Sequence, residues 1–153
     1  MAYLLDTGIL LRLANTSDRQ HSAIRAAVGI LGNRGEQLFV ANPNIAEFCN
    51  VTTRPVENNG LGRSPAEALN AIERDIEPIC SVLAETDDVY RELKRLIAKY
   101  AVVGKQVHDA RLVAMMLVWR IENILTLNDR DFRRYEPEGV VVVTPDLIMK
   151  SGS

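Results

Sequence analysis

The segment 107–121, VHDARLVAMMLVWRI, carries apolar residues on nearly every side. A surface helix keeps a polar face, so a helix without one belongs deep in a molecule, between other layers. The rest of the chain supplies those layers in alternation. Short apolar runs at 2–6, 38–41, 79–84, 124–127 and 139–143 read as strands. Between them fall helical patterns. A turn at 9–14 is followed by a helix at 17–31, capped by Ser17-Asp18 and stopped at Gly32, with Ile24, Ala27, Val28 and Leu31 on one face. Another starts near Asn44 and turns Ile45, Phe48, Val51 and Thr52 inward. Ser64-Pro65 opens a helix to about Asp75, and Thr86-Asp87-Asp88 caps one that buries Val89, Leu93, Leu96, Ile97 and Tyr100. Strands alternating with helices from end to end predict an α/β fold around a mainly parallel sheet.

At 153 residues a single domain is expected, over 1–148, with a short polar tail at 149–153. An apolar share of 47% is ordinary globular usage, and no apolar run is long enough to span a bilayer. The first residues show no charged-then-apolar leader, and Cys49 and Cys80 lack a Cys-x-x-Cys spacing. Both read as reduced thiols, which places the protein in the cytoplasm by expectation. A net charge of −2 argues against a surface coated for non-specific nucleic-acid binding. It leaves a nucleic-acid enzyme open, because a site that holds divalent cations must itself be acidic.

The first strand ends in 3-YLLDTGIL-10, whose Asp-Thr-Gly is how aspartic peptidases present a catalytic carboxylate. Those peptidases are almost entirely β and follow the motif with a small residue. Here Ile9-Leu10 follow, and the helices at 86–101 and 107–121 have no place in such a subunit. Asp6 therefore needs another role. In α/β sheets, ligands bind beyond the carboxyl ends of the strands. Asp6 ends the first strand, Glu47 lies one turn into the helix after the second, and Asp109 opens the buried helix. Asn128, Asp129 and Asp131 follow the strand at 124–127. Singly, each could cap a helix or sit in a loop. Jointly, with Glu47 set among Ile45, Ala46 and Phe48, they point to buried carboxylates neutralised by a cation. An all-oxygen donor set selects Mg²⁺ or Mn²⁺ over zinc, since His21 and His108 have no ligand-spaced partners. His108 is expected to face away from Asp109, being 100° round the helix. Such a site suits phosphodiester hydrolysis.

Five segments in order, 4-LLDTGIL-10, 44-NIAEFCNVTTRP-55, 56-VENNGLG-62, 104-GKQVHDARLVAMM-116 and 124-ILTLNDRDF-132, resemble the PIN-domain ribonucleases of the VapC-like toxin group. The resemblance implies a three-layer α/β/α fold and an Mg²⁺- or Mn²⁺-dependent endoribonuclease. It carries the first three acids onto Asp6, Glu47 and Asp109. Asp131 is taken as the fourth carboxylate, with Asn128 beside it and Asp129 in reserve. It further implies a small antitoxin laid over the acidic groove and a homodimer. Thr7 keeps the family's hydroxyl, to orient Asp6 or its water, but Gly8 stands where the family has Asn. That departure keeps a second reading open, a weak or inactive PIN scaffold that binds RNA or protein. A phosphatase of the haloacid-dehalogenase type would need a second Asp at position 8, and a receiver domain would need an acidic pair before its acceptor strand. For RNA contacts the basic candidates near the acids are Arg12, Arg54, Arg63, Lys105 and Arg111, with the loop 53–65 as a flap or packing surface.

Overall fold

The computed structural model describes residues 1–152. Strand β1 (Ala2–Leu5) is the middle of a sheet with β2 (Gln37–Ala41), β3 (Ser81–Leu83), β4 (Asn123–Leu125) and β5 (Val141–Val143). The order is β3-β2-β1-β4-β5, and every neighbouring pair is parallel. The chain works outward from β1 to β3, then returns to the other side of β1 for β4 and β5. The crevice where the direction reverses lies at the carboxyl ends of β1 and β4, and that is where such sheets bind ligands.

Alternating side chains on β1 divide the interior into two cores. Tyr3 and Leu5 pack with α1 (Thr7–Ala14), α2 (His21–Asn33), α3 (Asn42–Thr53) and α8 (Pro145–Ser151), through Ile9, Leu10, Ile24, Leu31, Phe48 and Ile148. Leu4 faces the opposite side, against α5 (Asp87–Tyr100) and α6 (Gln106–Trp119), with Leu96, Val113, Met116 and Phe132. Burying one Leu or Ile in either core contributes about 1.5–3 kcal/mol. The result is the expected α/β/α sandwich, with the apolar helix deep inside: Ala110 and Leu112 through Met116 are all buried. Among the described residues no helix is long and apolar enough to cross a membrane.

Several boundaries differ from the sequence pattern for local reasons. Helix α2 starts at His21, not Ser17, because the Asn15 and Asp18 side chains accept the backbone N–H groups of Ser17 and Gln20 and hold a turn there. The helix from Pro65 is α for Pro65–Ala71 and widens to a π-turn over Ile72–Ile76. Residues 149–151, expected in a polar tail, are the last turn of α8, which packs on α2. Its start is capped by Thr144, with Pro145 in its first turn. Residue 153 lies outside the described residues. The loop 53–65 is tied down and does not hang free. Leu61, Gly62 and Arg63 donate backbone bonds to the Val51, Arg54 and Thr52 carbonyls. A Cβ on Gly60 would sit 1.9 Å from the Arg54 carbonyl oxygen, so only glycine permits this approach.

Candidate active site

Asp6 leaves β1 in extended conformation and caps α1. Its Oδ1 accepts the Thr7 backbone N–H at 2.9 Å, and its Oδ2 accepts the Thr126 hydroxyl at 2.7 Å. Only 8% exposed, it is buried at the crevice between β1 and β4. Burial raises its pKa, the Thr126 and Thr7 bonds pull it back, and the charge of Asp131 raises it further. Asp109 projects from the first turn of α6. Burial, then the charges of Asp6 and Asp131, push its carboxyl up to about 6. Asp131 belongs to the short helix α7 (Asp129–Arg133). The charge of Asp131 therefore reaches both Asp6 and Asp109, and that of Asp6 reaches Asp109.

The other sequence candidates separate from this trio. Glu47 is exposed on α3 and accepts a hydrogen bond from Asn50 Nδ2 at 3.3 Å. Its charge is not among those acting on Asp6 or Asp109. The expectation of a buried Glu47 is thus corrected: Phe48 takes the inward position and the neighbouring residue turns out. Asp129 is bound by Arg133 at 2.7 Å, which holds its carboxyl below the usual range. That leaves Asp131 as the acid coupled to the site. Asn128 is exposed, and its N–H donates to Thr126 Oγ1 at 2.9 Å. His108 lines a separate cleft with Glu85, Tyr90 and Arg111, on the side away from Asp109 as expected.

Two residues that hold the site were not singled out from sequence. Thr126 is fully buried and spans Asp6 and the Asn128 N–H, stitching the ends of β1 and β4. Asn44, 1% exposed, accepts the Ala41 N–H at 2.9 Å and donates to Thr7 Oγ1 at 3.1 Å. An amide in the first turn of a helix, ready to bond back to the strand before it, was the available signal.

Most of the basic candidates are engaged internally. Arg12 donates to the Gly8 carbonyl and Gln20, Arg54 to the Asn59 carbonyl, and Arg63 pairs with Glu67. Arg111 makes two bonds to Glu85, at 2.7 and 2.6 Å. Lys105 is exposed just before α6. Two further arginines, Arg130 and Arg134, line a cleft of about 100 Å³ with Gln106, Asp109, Asp131 and Tyr135.

Among the described residues no three acidic, imidazole or thiol side chains form a ready-made metal cage. Mg²⁺ does not need one, since it keeps several waters and takes one or two carboxylates. Carboxylate oxygens from this trio would supply the kind of ligand it takes. The all-oxygen donor set fits the same hard cations.

A family model of the PIN domain matches residues 3–137. The chain belongs to the PIN-domain family. It is thereby placed among nucleases, as its motifs implied. Solved structures with the same fold include VapBC2 from Rickettsia felis bound to a promoter DNA fragment. The match has a TM-score of 0.69 at 9% identity over 94% of this chain and 98% of the other. VapBC-1 from nontypeable Haemophilus influenzae gives 0.65 at 16% identity, covering 95% and 99%. Mycobacterium tuberculosis VapC20, a Sarcin-Ricin loop cleaving toxin, gives 0.63 at 17% identity, covering 91% and 96%. No curated protein sequence matches this PIN domain significantly.

Proposed function

We propose that this PIN domain is a divalent-metal-dependent endoribonuclease and the toxin of a toxin–antitoxin pair. The observation that carries the reading is that the buried Asp6 and the half-buried Asp109 meet at the sheet's crevice, where the charge of Asp131 reaches both and that of Asp6 reaches Asp109. Three acids forced together in this way are stabilised by a hard cation. Asp6, Asp109 and Asp131 are the residues that would hold Mg²⁺ or Mn²⁺, with Glu47 contributing from α3 at the rim. Such an ion supplies Lewis acidity toward a phosphoryl oxygen and a water acidified for in-line attack. The protein's own contribution is rigidity. Thr126 and the Thr7 N–H fix both oxygens of Asp6, and Asn44 fixes Thr7, so the first ligand cannot rotate away.

Likeness to VapBC assemblies supports a small antitoxin partner, and the free thiols of Cys49 and Cys80 suit a cytoplasmic protein. An arginine from that partner, laid among unpaired acids, would form charge-assisted bonds with them. A homodimer is part of the same reading. The alternative, a PIN scaffold that binds RNA or protein without cutting, rests on Gly8. It is weakened by Asn44, whose amide already orders Thr7. Incubating the protein with a mixed RNA pool in Mn²⁺ and in EDTA tests the activity. Cutting in Mn²⁺ alone supports an enzyme, and an intact pool in both supports the scaffold.

A further inference from the structure

Tyr135 is fully buried, yet its hydroxyl has no hydrogen-bond partner among the described residues. A phenol usually finds a partner when buried, and one left bare is a standing cost. Its surroundings say what partner it is built for. Tyr135 lines the small cleft between α6 and α7 that Asp109 and Asp131 bound from one side. Its hydroxyl is close enough for the Asp109 charge to raise its pKa, after burial and against the pull of Arg134.

The remaining wall of that cleft is made of donors. Arg134 lies over the rings of Tyr100 and Tyr135, at 5.9 and 5.7 Å, and those rings pack edge to face. It donates to Gln106 Oε1 at 3.0 Å and to the Tyr100 carbonyl. A guanidinium has five N–H groups, so these bonds fix its plane and leave donors over. Arg130, exposed on the first turn of α7, has no ion-pair partner among the described residues, whereas Arg133 nearby on the same helix is taken by Asp129.

Building on the ribonuclease reading, we propose that this cleft is a phosphate subsite. In it Arg130, Arg134 and the Tyr135 hydroxyl hold an RNA backbone phosphate beside the carboxylates. The acid wall would repel a phosphate on its own, so occupancy depends on the cation held by Asp6, Asp109 and Asp131. Donors on one wall and a cation on the other suit a phosphodiester and no neutral ligand.

The test measures binding of a fluorescent single-stranded RNA to the full chain as a function of salt, in Mn²⁺ and in EDTA. Phosphorothioate linkages in the RNA keep its backbone charge and slow cutting, so every metal-site acid stays in place. Arg130→Ala and Tyr135→Phe are compared with the wild-type parent. Removing one cationic side chain from a phosphate of a single strand flattens the salt slope by about 0.7. Arg130→Ala should show that change in Mn²⁺ and little change in EDTA. Tyr135→Phe should weaken RNA binding about three- to tenfold, the worth of one hydrogen bond, while its melting temperature holds or rises. A parent-like slope for Arg130→Ala overturns the proposal. So does a Tyr135→Phe variant that melts lower and binds RNA as before, which would make the hydroxyl a structural group. An acidic peptide that loses affinity in both variants while RNA does not would assign the cleft to a protein partner. Failure of the nuclease reading looks different: wild type binds an ordinary phosphodiester RNA in Mn²⁺ and leaves it uncut.

Discussion

Thr126 and Asp6, far apart in the chain, are joined by a 2.7 Å hydrogen bond at the ends of the adjacent strands β4 and β1. The donor is fully buried and the acceptor nearly so. Thr126→Val keeps the shape and removes the donor, leaving a buried carboxylate oxygen unsatisfied. The expected cost is about 1–3 kcal/mol in urea unfolding, with a further rise in the Asp6 pKa. Thr126→Ser should restore most of both. Equal stability of the Val variant and wild type would show that the bond does not hold Asp6.

Asn44 holds Thr7 in the same way, through a chain that begins at the Ala41 N–H. Asn44→Ala bares a buried backbone donor and frees the Thr7 hydroxyl. It should lose about 1–3 kcal/mol and bind Mn²⁺ more weakly by calorimetry. Unchanged Mn²⁺ affinity in a folded Asn44→Ala protein would confine Asn44 to a structural role.

Gly8 is not required by its backbone. A Cβ there would meet only Arg12 Nη1 at 3.6 Å and Leu127 Cδ1 at 3.9 Å, ordinary contact distances. Gly8→Asn, which restores the residue its family carries, should fold normally in the first turn of α1 and change stability by no more than about a few tenths of a kcal/mol. Cleavage at or above the wild-type rate is expected. A loss of cleavage in a folded variant would mean that glycine is needed in this site.

The Asp109 carboxyl, pushed up to about 6, makes stability depend on pH. A proton held more tightly in the folded state than in the unfolded one stabilises the fold below the ordinary carboxylate range. That contribution is lost as pH rises through about 6. In EDTA the protein should therefore lose stability between about pH 4 and 7, and Asp109→Asn should flatten the loss. Mn²⁺ should restore stability at neutral pH by mass action. Identical pH profiles for wild type and Asp109→Asn would contradict this electrostatic picture.

Glu138 works with the opposite sign. Arg95, Lys99 and the Tyr100 hydroxyl all donate to it, tying α5 to the turn before β5 and holding its carboxyl down to about 2. Its contribution is present above the ordinary carboxylate pKa and fades as pH falls toward about 2. Glu138→Gln should lower the melting temperature at neutral pH and have a smaller effect in strong acid.

The sandwich was legible in the sequence because the strands showed as short apolar runs and the longer helices as 3.6-residue patterns, whereas α7 and α8 are too short to show a period. The nearly all-apolar α6 also pointed to a layered interior. The acids at Asp6, Asp109 and Asp131 were legible for the same reason, since a strand end or a helix start fixes where a side chain projects. The burial of Glu47 was misread because helical phase decides which of two adjacent residues turns inward, and apolar neighbours do not report phase. Thr126, Asn44 and Tyr135 went unnoticed because their roles depend on partners distant in sequence or on a missing partner. Arg111 and Arg12 looked free for the same reason, and Glu85 and Gln20 engage them.

The most direct measurement is cleavage of a mixed RNA pool by wild type, Asp6→Asn and Asp109→Asn, each shown to be folded by circular dichroism. The reactions are run in Mn²⁺ and again in EDTA. Metal-dependent cutting by wild type, reduced at least about a hundredfold in both variants, is the expected result, in line with loss of a group that acts on the reacting centre. Equal cutting by all three proteins, or cutting that survives EDTA, would contradict a carboxylate-held metal site at Asp6 and Asp109.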